Sequence, residues 1–141
     1  MFFNEVPVLF IVKMYKKTLR QQEFLLKEYD LTEQQMLYMM IIRGSKGGIR
    51  LFNLAELLEV DKSNITRIVK QLEDKGYVER DIKTPGARKY KVILSERGSE
   101  VAKVIFERQC EARKRIFEGI TPEEQITIEK FFAKFAMNDL F

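Results

Sequence analysis

The stretch DKSNITRIVKQLEDKGYVER, residues 61–80, decides how the chain folds. At about 100° per residue, Ile65, Ile68, Val69 and Leu72 fall on one face, the i, i+3, i+4, i+7 spacing of a helix that rests on a core. Ser63, Arg67, Lys70 and Asp74 lie on the far side, flanked by Asn64, Thr66 and Gln71. Asp61 stands where an N-cap belongs, and Gly76 follows Lys75 where a left-handed residue closes a helix. The first two turns therefore carry short hydrogen-bonding groups of low helix propensity plus one arginine. Small residues at a helix start let another surface come close, and the amide groups and dipole there favour an anion. Arg67 can fork onto guanine O6/N7, Asn64 and Gln71 can pair with adenine, and the Thr66 methyl can touch thymine. A capped amphipathic surface helix accounts for the same residues without any ligand, so the surroundings of the helix must decide.

Those surroundings favour contact with DNA. A short helix over 53–59 joins the helix of 61–75 through about three residues, which is helix-turn-helix spacing. After Gly76 the period changes to a loose alternation through Tyr77, Val78 and Ile82. Lys83-Thr84-Pro85-Gly86 then supplies a turn, with Pro85-Gly86 suited to the centre of type II, and Tyr90, Val92 and Leu94 alternate with Lys89, Lys91 and Ile93. This predicts a β-hairpin with a basic second strand, and Ile49-Arg50-Leu51 is expected to add a short third strand beside it. Between Asp61 and Lys91 there are nine Lys/Arg against five Asp/Glu, while the other 110 residues hold 16 of each sign. The whole formal net charge of +4 is thus gathered in this helix and hairpin, a localised electropositive surface suited to nucleic acid or another polyanion.

Start and stop signals place the remaining elements. Thr32-Glu33-Gln34-Gln35 and Thr121-Pro122-Glu123-Glu124 fit capping boxes, and Asn53-Leu54-Ala55-Glu56 is a weaker version. Gly44 with Gly47-Gly48 ends one helix and Gly119 another. Helices are predicted over 5–28, 32–44, 53–59, 61–75, 96–118 and 122–138, so the fold class is mainly α with a small β-hairpin. Apolar residues from Met36 to Ile42 surround the helix of 33–43, which predicts a central helix covered on more than one side.

With 141 residues, 45% hydrophobic and 33% charged, the chain is expected to form one folded module. One cysteine, Cys110, leaves no intramolecular disulfide, and the run Val6 to Val12 is too short to span a bilayer, so a cytoplasmic protein is expected. There is no histidine, which removes the usual general base near neutral pH and the commonest metal ligand. No Gly-rich phosphate loop is present either. The reading is therefore not an enzyme, with no cofactor and no metal. Cys110 lies near Arg108, Arg113, Lys114 and Arg115, which lower a thiol pKa if they face it; a packed or incidental thiol is preferred to an oxidant sensor.

The chain resembles the multiple antibiotic resistance regulator (MarR) family of winged helix-turn-helix transcription factors. The resemblance runs through Leu31-Thr32-x-x-Gln35, Leu54-Ala55-Glu56-Leu57-Leu58, Val60-Asp61-x-Ser63, Thr66-Arg67, Leu72-Glu73-x-Lys75-Gly76-x-Val78-x-Arg80, Arg88, and Leu94-Ser95-x-x-Gly98. It implies a DNA-binding lobe over 31–98, with 1–30 and 99–141 as dimerisation helices. It further implies a homodimeric regulator whose recognition helices enter adjacent major grooves of a pseudo-palindromic operator, with each wing tip in the minor groove. By position, Lys62, Ser63, Asn64, Thr66, Arg67 and Lys70 become groove or backbone contacts, Arg88 the wing arginine, and Lys89 a phosphate contact beside it. The family's usual aspartate two residues before that arginine is Gly86 here, which implies a more mobile wing. Relatives that use a cysteine as a sensor carry it near the N-terminal helix, unlike Cys110.

The phenylalanines point to a dimer on their own account. Of eleven, four lie in the first 24 residues and six between 106 and 141, more apolar surface than a peripheral helical layer buries within one monomer. Many relatives respond to small aromatic compounds, and Met14, Tyr15, Met36, Tyr38, Met39 and Met40 are adaptable residues able to line such a pocket, although at helical spacing they fit a core equally well. The leading expectation is a homodimeric repressor released by such a ligand. The alternative is a winged helix used for protein association, which would be expected to show exposed aromatics where Ser63, Asn64, Thr66, Arg67 and Lys70 stand.

Overall fold

Helix starts and strand pairing lay out the chain. A computed structural model describes residues 7–82 and 90–137. The chain divides into two compact units, Met1–Glu107 and Arg108–Phe141. Within the first lie α1 (Pro7–Glu28), α2 (Glu33–Gly44), β1 (Ile49–Arg50), α3 (Leu51–Leu58), α4 (Lys62–Asp74), β2 (Val78–Asp81) and β3 (Lys91–Leu94). Helix α5 (Glu96–Ile116) runs from the first unit into the second, and α6 (Pro122–Met137) belongs to the second. The mainly helical fold with a small antiparallel sheet is as the sequence predicts.

Thr32 opens α2 with the expected capping box. Its hydroxyl accepts from the Gln35 amide at 3.2 Å, and its own amide donates to Gln35 Oε1 at 3.1 Å. Gln35, Met36, Tyr38, Met39 and Ile42 are buried, but Leu37 is 47% exposed and Met40 and Ile41 are half-buried. The expected burial all round α2 is therefore only partly met: the run from Met36 to Ile42 carries more apolar surface than one lobe covers.

After α2 the chain reverses through Gly47 and Gly48, both at positive φ. A Cβ on Gly48 would sit 2.6 Å from Ile93 Cγ2 and 2.7 Å from the Val92 carbonyl oxygen, so only glycine lets the turn lie against β3. The expected third strand forms as β1, giving a sheet in the order β1-β3-β2 with Ile49 opposite Val92 and Val78 opposite Leu94. Helix α3 then begins at Leu51, two residues before the predicted start. Asn53 is inside its first turns and not the cap; Arg50 takes the cap position with extended backbone and no side-chain hydrogen bond. The reason is the sheet, since pairing with β3 holds Ile49 and Arg50 extended and the helix starts where pairing stops. The expected turn at Pro85-Gly86 lies outside the described residues.

The core gathers Met39, Leu54, Ile65, Ile68, Val69, Leu72, Val92, Ala102 and Ile105, each at most 2% exposed. Each large aliphatic side chain in it contributes about 2 kcal/mol by burial. Two glycines close the join between α4, β2 and α5. Gly76 takes positive φ at the end of α4, as expected, and its carbonyl accepts from the Ser95 hydroxyl at 2.6 Å. The same hydroxyl accepts from the Gly98 amide at 2.9 Å, which draws the first turn of α5 onto Tyr77.

In the second unit Thr121 caps α6 through the predicted box, with Glu124 N donating to Thr121 Oγ1 at 3.2 Å and Thr121 N to Glu124 Oε2 at 2.8 Å. Helix α5 stops at Ile116, two residues short of the predicted end, and Gly119 turns the chain at positive φ. Arg113 pairs with Glu129 at 2.9 Å, Arg108 pairs with Glu111 at 3.5 Å, and Cys110 is half-buried in α5. Phe131, Phe132 and Phe135 are all exposed on α6. Among the described residues no helix is long and apolar enough to cross a membrane.

A Cβ on Gly98 would lie 1.8 Å from the Tyr77 carbonyl oxygen, whereas one on Gly44 would meet nothing within 4 Å. Gly98→Ala is therefore expected to destabilise the chain by about 3 kcal/mol or more, and Gly44→Ala to change stability by less than about 1 kcal/mol. Urea unfolding of the two variants compares them directly.

Candidate nucleic-acid interface

Helix α4 buries one face completely and opens the other to solvent. Ile65 and Leu72 are 0% exposed and Ile68 and Val69 are 2% exposed. Above this stripe Lys62, Ser63, Thr66, Arg67 and Lys70 are exposed and Asn64 is half-buried. The structure thus brings together six of the residues singled out in the sequence. The other two, Arg88 and Lys89, lie outside the described residues, as does Gly86.

Most polar groups on this face have partners on the helix itself. Asp61 caps α4 by accepting from the Asn64 amide at 2.9 Å and from the Ser63 hydroxyl. The Thr66 hydroxyl donates to the Lys62 carbonyl at 2.8 Å. Arg67 donates to Asn64 Oδ1 at 2.8 Å, and Lys70 pairs with Asp74 at 2.7 Å. Exposed contacts of this kind contribute little and are exchanged at small cost. They hold the side chains extended along the helix without committing them to the interior.

Gln71 behaves differently from its place in the sequence reading. Its Oε1 accepts from Nε2 of the buried Gln35 at 3.0 Å, so it is tied to the junction between α2 and α4 and not offered to a base. Gln35 Oε1 in turn accepts from Lys75 Nζ at 3.0 Å. Lys75 also donates to the Asp30 carbonyl and pairs with the Asp30 carboxylate at 3.4 Å. This chain of contacts sets the orientation of α4 against α2.

The end of α4 is clamped to the hairpin. Arg80 on β2 makes a bidentate pair with Glu73, at 2.7 and 3.1 Å, and its guanidinium lies 4.7 Å above the Tyr90 ring beside β3. The hydrogen bond that Arg80 donates to Glu73 raises the pKa of Arg80 further, so the clamp stays charged. Burial pushes the Tyr38 hydroxyl up, opposed by the nearby Arg67 charge.

One cation was missed by the sequence reading. Arg50 is exposed at the start of α3 and stands opposite Lys91 in the sheet, with Asp81 opposite Lys91 on the other side. Two cations, Arg50 and Lys91, thus stand side by side at the edge of the sheet. Only the strand register reveals it, because 41 positions separate the two residues. Of the residues considered for a ligand pocket, Met36, Tyr38 and Met39 are core, Met40 is half-buried, and Met14 and Tyr15 are exposed. Tyr15 donates to Glu33 at 3.1 Å.

Residues 31–89, which contain this whole helix-turn-helix and the first strand of the hairpin, match the MarR family. Over these residues the chain is similar to the MarR family. It is 28% identical over 112 residues to the uncharacterized HTH-type transcriptional regulator YybA of Bacillus subtilis, a match covering 79% of this chain and 74% of that protein. A match to the regulator SarZ of Staphylococcus haemolyticus, 28% identical, covers 61% of this chain but only 58% of that protein's length. The fold of the MepR-DNA complex of Staphylococcus aureus superposes with a TM-score of 0.77 at 15% identity, covering 94% of this chain and 96% of that one. NadR in complex with 4-hydroxyphenylacetate superposes with a TM-score of 0.77 at 20% identity, covering 93% and 92%. At these identities the superpositions establish the winged helix fold. The relatives that the chain matches are named as HTH-type transcriptional regulators.

The cap on α4 has a testable pH signature. The Ser63 hydroxyl and then the Asn64 amide hold the Asp61 carboxyl below the usual carboxylate range. A carboxylate lowered on folding contributes stability above its unfolded pKa and loses it as pH falls through the folded value. NMR titration of Asp61 is expected to show a midpoint below that of an unstructured aspartate, and Ser63→Ala is expected to move it upward.

Proposed function

We propose that this protein acts as a homodimeric, sequence-specific repressor that occludes a pseudo-palindromic operator. The observation that carries the reading is the division of α4 into a fully buried apolar stripe and an exposed face of short polar and basic side chains. Such a face can lie in a major groove without large side chains holding it away. Arg67, Asn64 and the Thr66 methyl are assigned to base edges, and Lys62, Ser63 and Lys70 to groove walls and phosphates. Arg50 joins them as a phosphate contact, and Arg88 and Lys89 carry the wing. Residues 31–98 form the DNA-binding lobe, with 1–30 and 99–141 supplying dimerisation helices in a cytoplasmic regulator.

The exposed phenylalanines support the dimer. Phe24 on α1 is 73% exposed, and Phe131 and Phe135 stack with ring centroids 6.2 Å apart on the open surface of α6. Aromatic area of this kind is normally covered by a partner. A small aromatic effector that releases the operator completes the proposal, in keeping with the 4-hydroxyphenylacetate bound to NadR.

Selection of bound duplexes from a random pool is expected to enrich a palindrome with half-sites about one helical turn apart. Arg67→Ala should lose about 1–3 kcal/mol of discrimination at one base pair of each half-site, whereas Lys89→Ala should weaken all duplexes alike and lower the salt slope by about 1. Equal affinity for the enriched and random duplexes at matched salt contradicts the proposal. For the dimer, sedimentation equilibrium of Phe131→Glu/Phe135→Glu is expected to show a shift from dimer to monomer. A wild-type chain that sediments as a monomer at micromolar concentration removes that part of the reading.

A further inference from the structure

A cavity of about 430 Å³ opens in the first unit, between the end of α2, the turn of residues 45–48, the end of β3 and the first turns of α5. It lies at the end of the sheet away from the hairpin tip, because Arg50 and Lys91 are nearer the tip than Ile49 and Ile93. Its floor is apolar, built from Ile42, Ile93 and Leu94, and its rim carries Arg43, Lys46 and Lys103. No Asp or Glu lines it.

The rim cations are left without acidic partners. None of Arg43, Lys46 and Lys103 forms an ion pair with a described residue, whereas Lys27, Lys70, Lys75, Arg80, Arg108 and Arg113 all do. Arg43 is held in place over the Phe106 ring, 4.1 Å from its centroid. The turn bearing Lys46 is fixed by the close approach of Gly48 to β3, so the cavity wall is set by backbone packing. Three cations around one opening repel each other, and a bound anion relieves that repulsion.

We propose that this cavity is a binding site for a small dianion with an apolar body, a phosphomonoester in chemical class. Three positive charges match a dianion better than a monocarboxylate, and the phosphate oxygens can accept from Arg43, Lys46 and Lys103 together. The apolar part rests on Ile42, Ile93 and Leu94. The site is separate from the face of α4 that meets DNA.

Phenyl phosphate is the probe, titrated by calorimetry into the full chain, with inorganic phosphate and benzoate as comparisons. Saturable one-site binding of phenyl phosphate is expected, about tenfold tighter than either comparison. Lys46→Gln/Lys103→Gln should weaken it at least about tenfold while leaving the thermal midpoint in plain buffer unchanged, since both lysines are exposed. Absence of saturable binding, equal affinity in the double variant, or benzoate binding as tightly as phenyl phosphate each overturns the proposal. It is also overturned if the double variant lowers the salt slope of DNA binding, which would make the rim a contact for DNA phosphates.

Discussion

The buried amide of Gln35 is the constraint on which the lobe depends. At 3% exposure it accepts from the Thr32 amide and from Lys75, and it donates to Gln71, so one side chain joins the start of α2 to the end of α4. Every polar atom it offers is used, which is the condition for keeping an amide inside an apolar core. A hydrocarbon of similar size would take that partner from Gln71 and Lys75, both half-buried, and loosen the join between the two helices. The angle of α4, and with it the presentation of Arg67, follows from this contact and from the Arg80–Glu73 clamp at the same end of the helix.

The two faces of α4 answer to different requirements. The buried face demands shape, and Ile65, Ile68, Val69 and Leu72 supply it with no exposure above 2%. The open face demands reach and hydrogen bonds that can be exchanged, and its residues are satisfied locally by Asp61, Lys62, Asn64 and Asp74. Low helix propensity at Ser63, Asn64 and Thr66 is tolerated because the cap and the apolar stripe hold the helix.

What could be read from the sequence was whatever depends on near neighbours. The boxes at Thr32 and Thr121, the Asp61 cap, the left-handed Gly76 and Gly119 and the stripe of α4 are all set within a few residues, and all appear as expected. The start of α3 was misjudged because strand pairing with Val92, 43 positions away, overrides the weak cap at Asn53. Gln71 was misjudged for the same kind of reason: its partner is Gln35, which no local pattern indicates. The left-handed backbone of Glu59, at φ 51°, also lacks the glycine that would have announced it. Arg50 and the cationic cavity of Arg43, Lys46 and Lys103 exist only once the sheet and α5 are assembled.

The open face of α4 is the surface proposed to lie against DNA. NMR chemical-shift mapping of the full chain, titrated with a duplex selected by the protein, tests it most directly. The largest changes are expected on Ser63, Asn64, Thr66 and Arg67, while Ile65 and Leu72 beneath them hold their packing. Saturation of the duplex with those four residues unshifted, and the changes centred elsewhere on the chain, would contradict it.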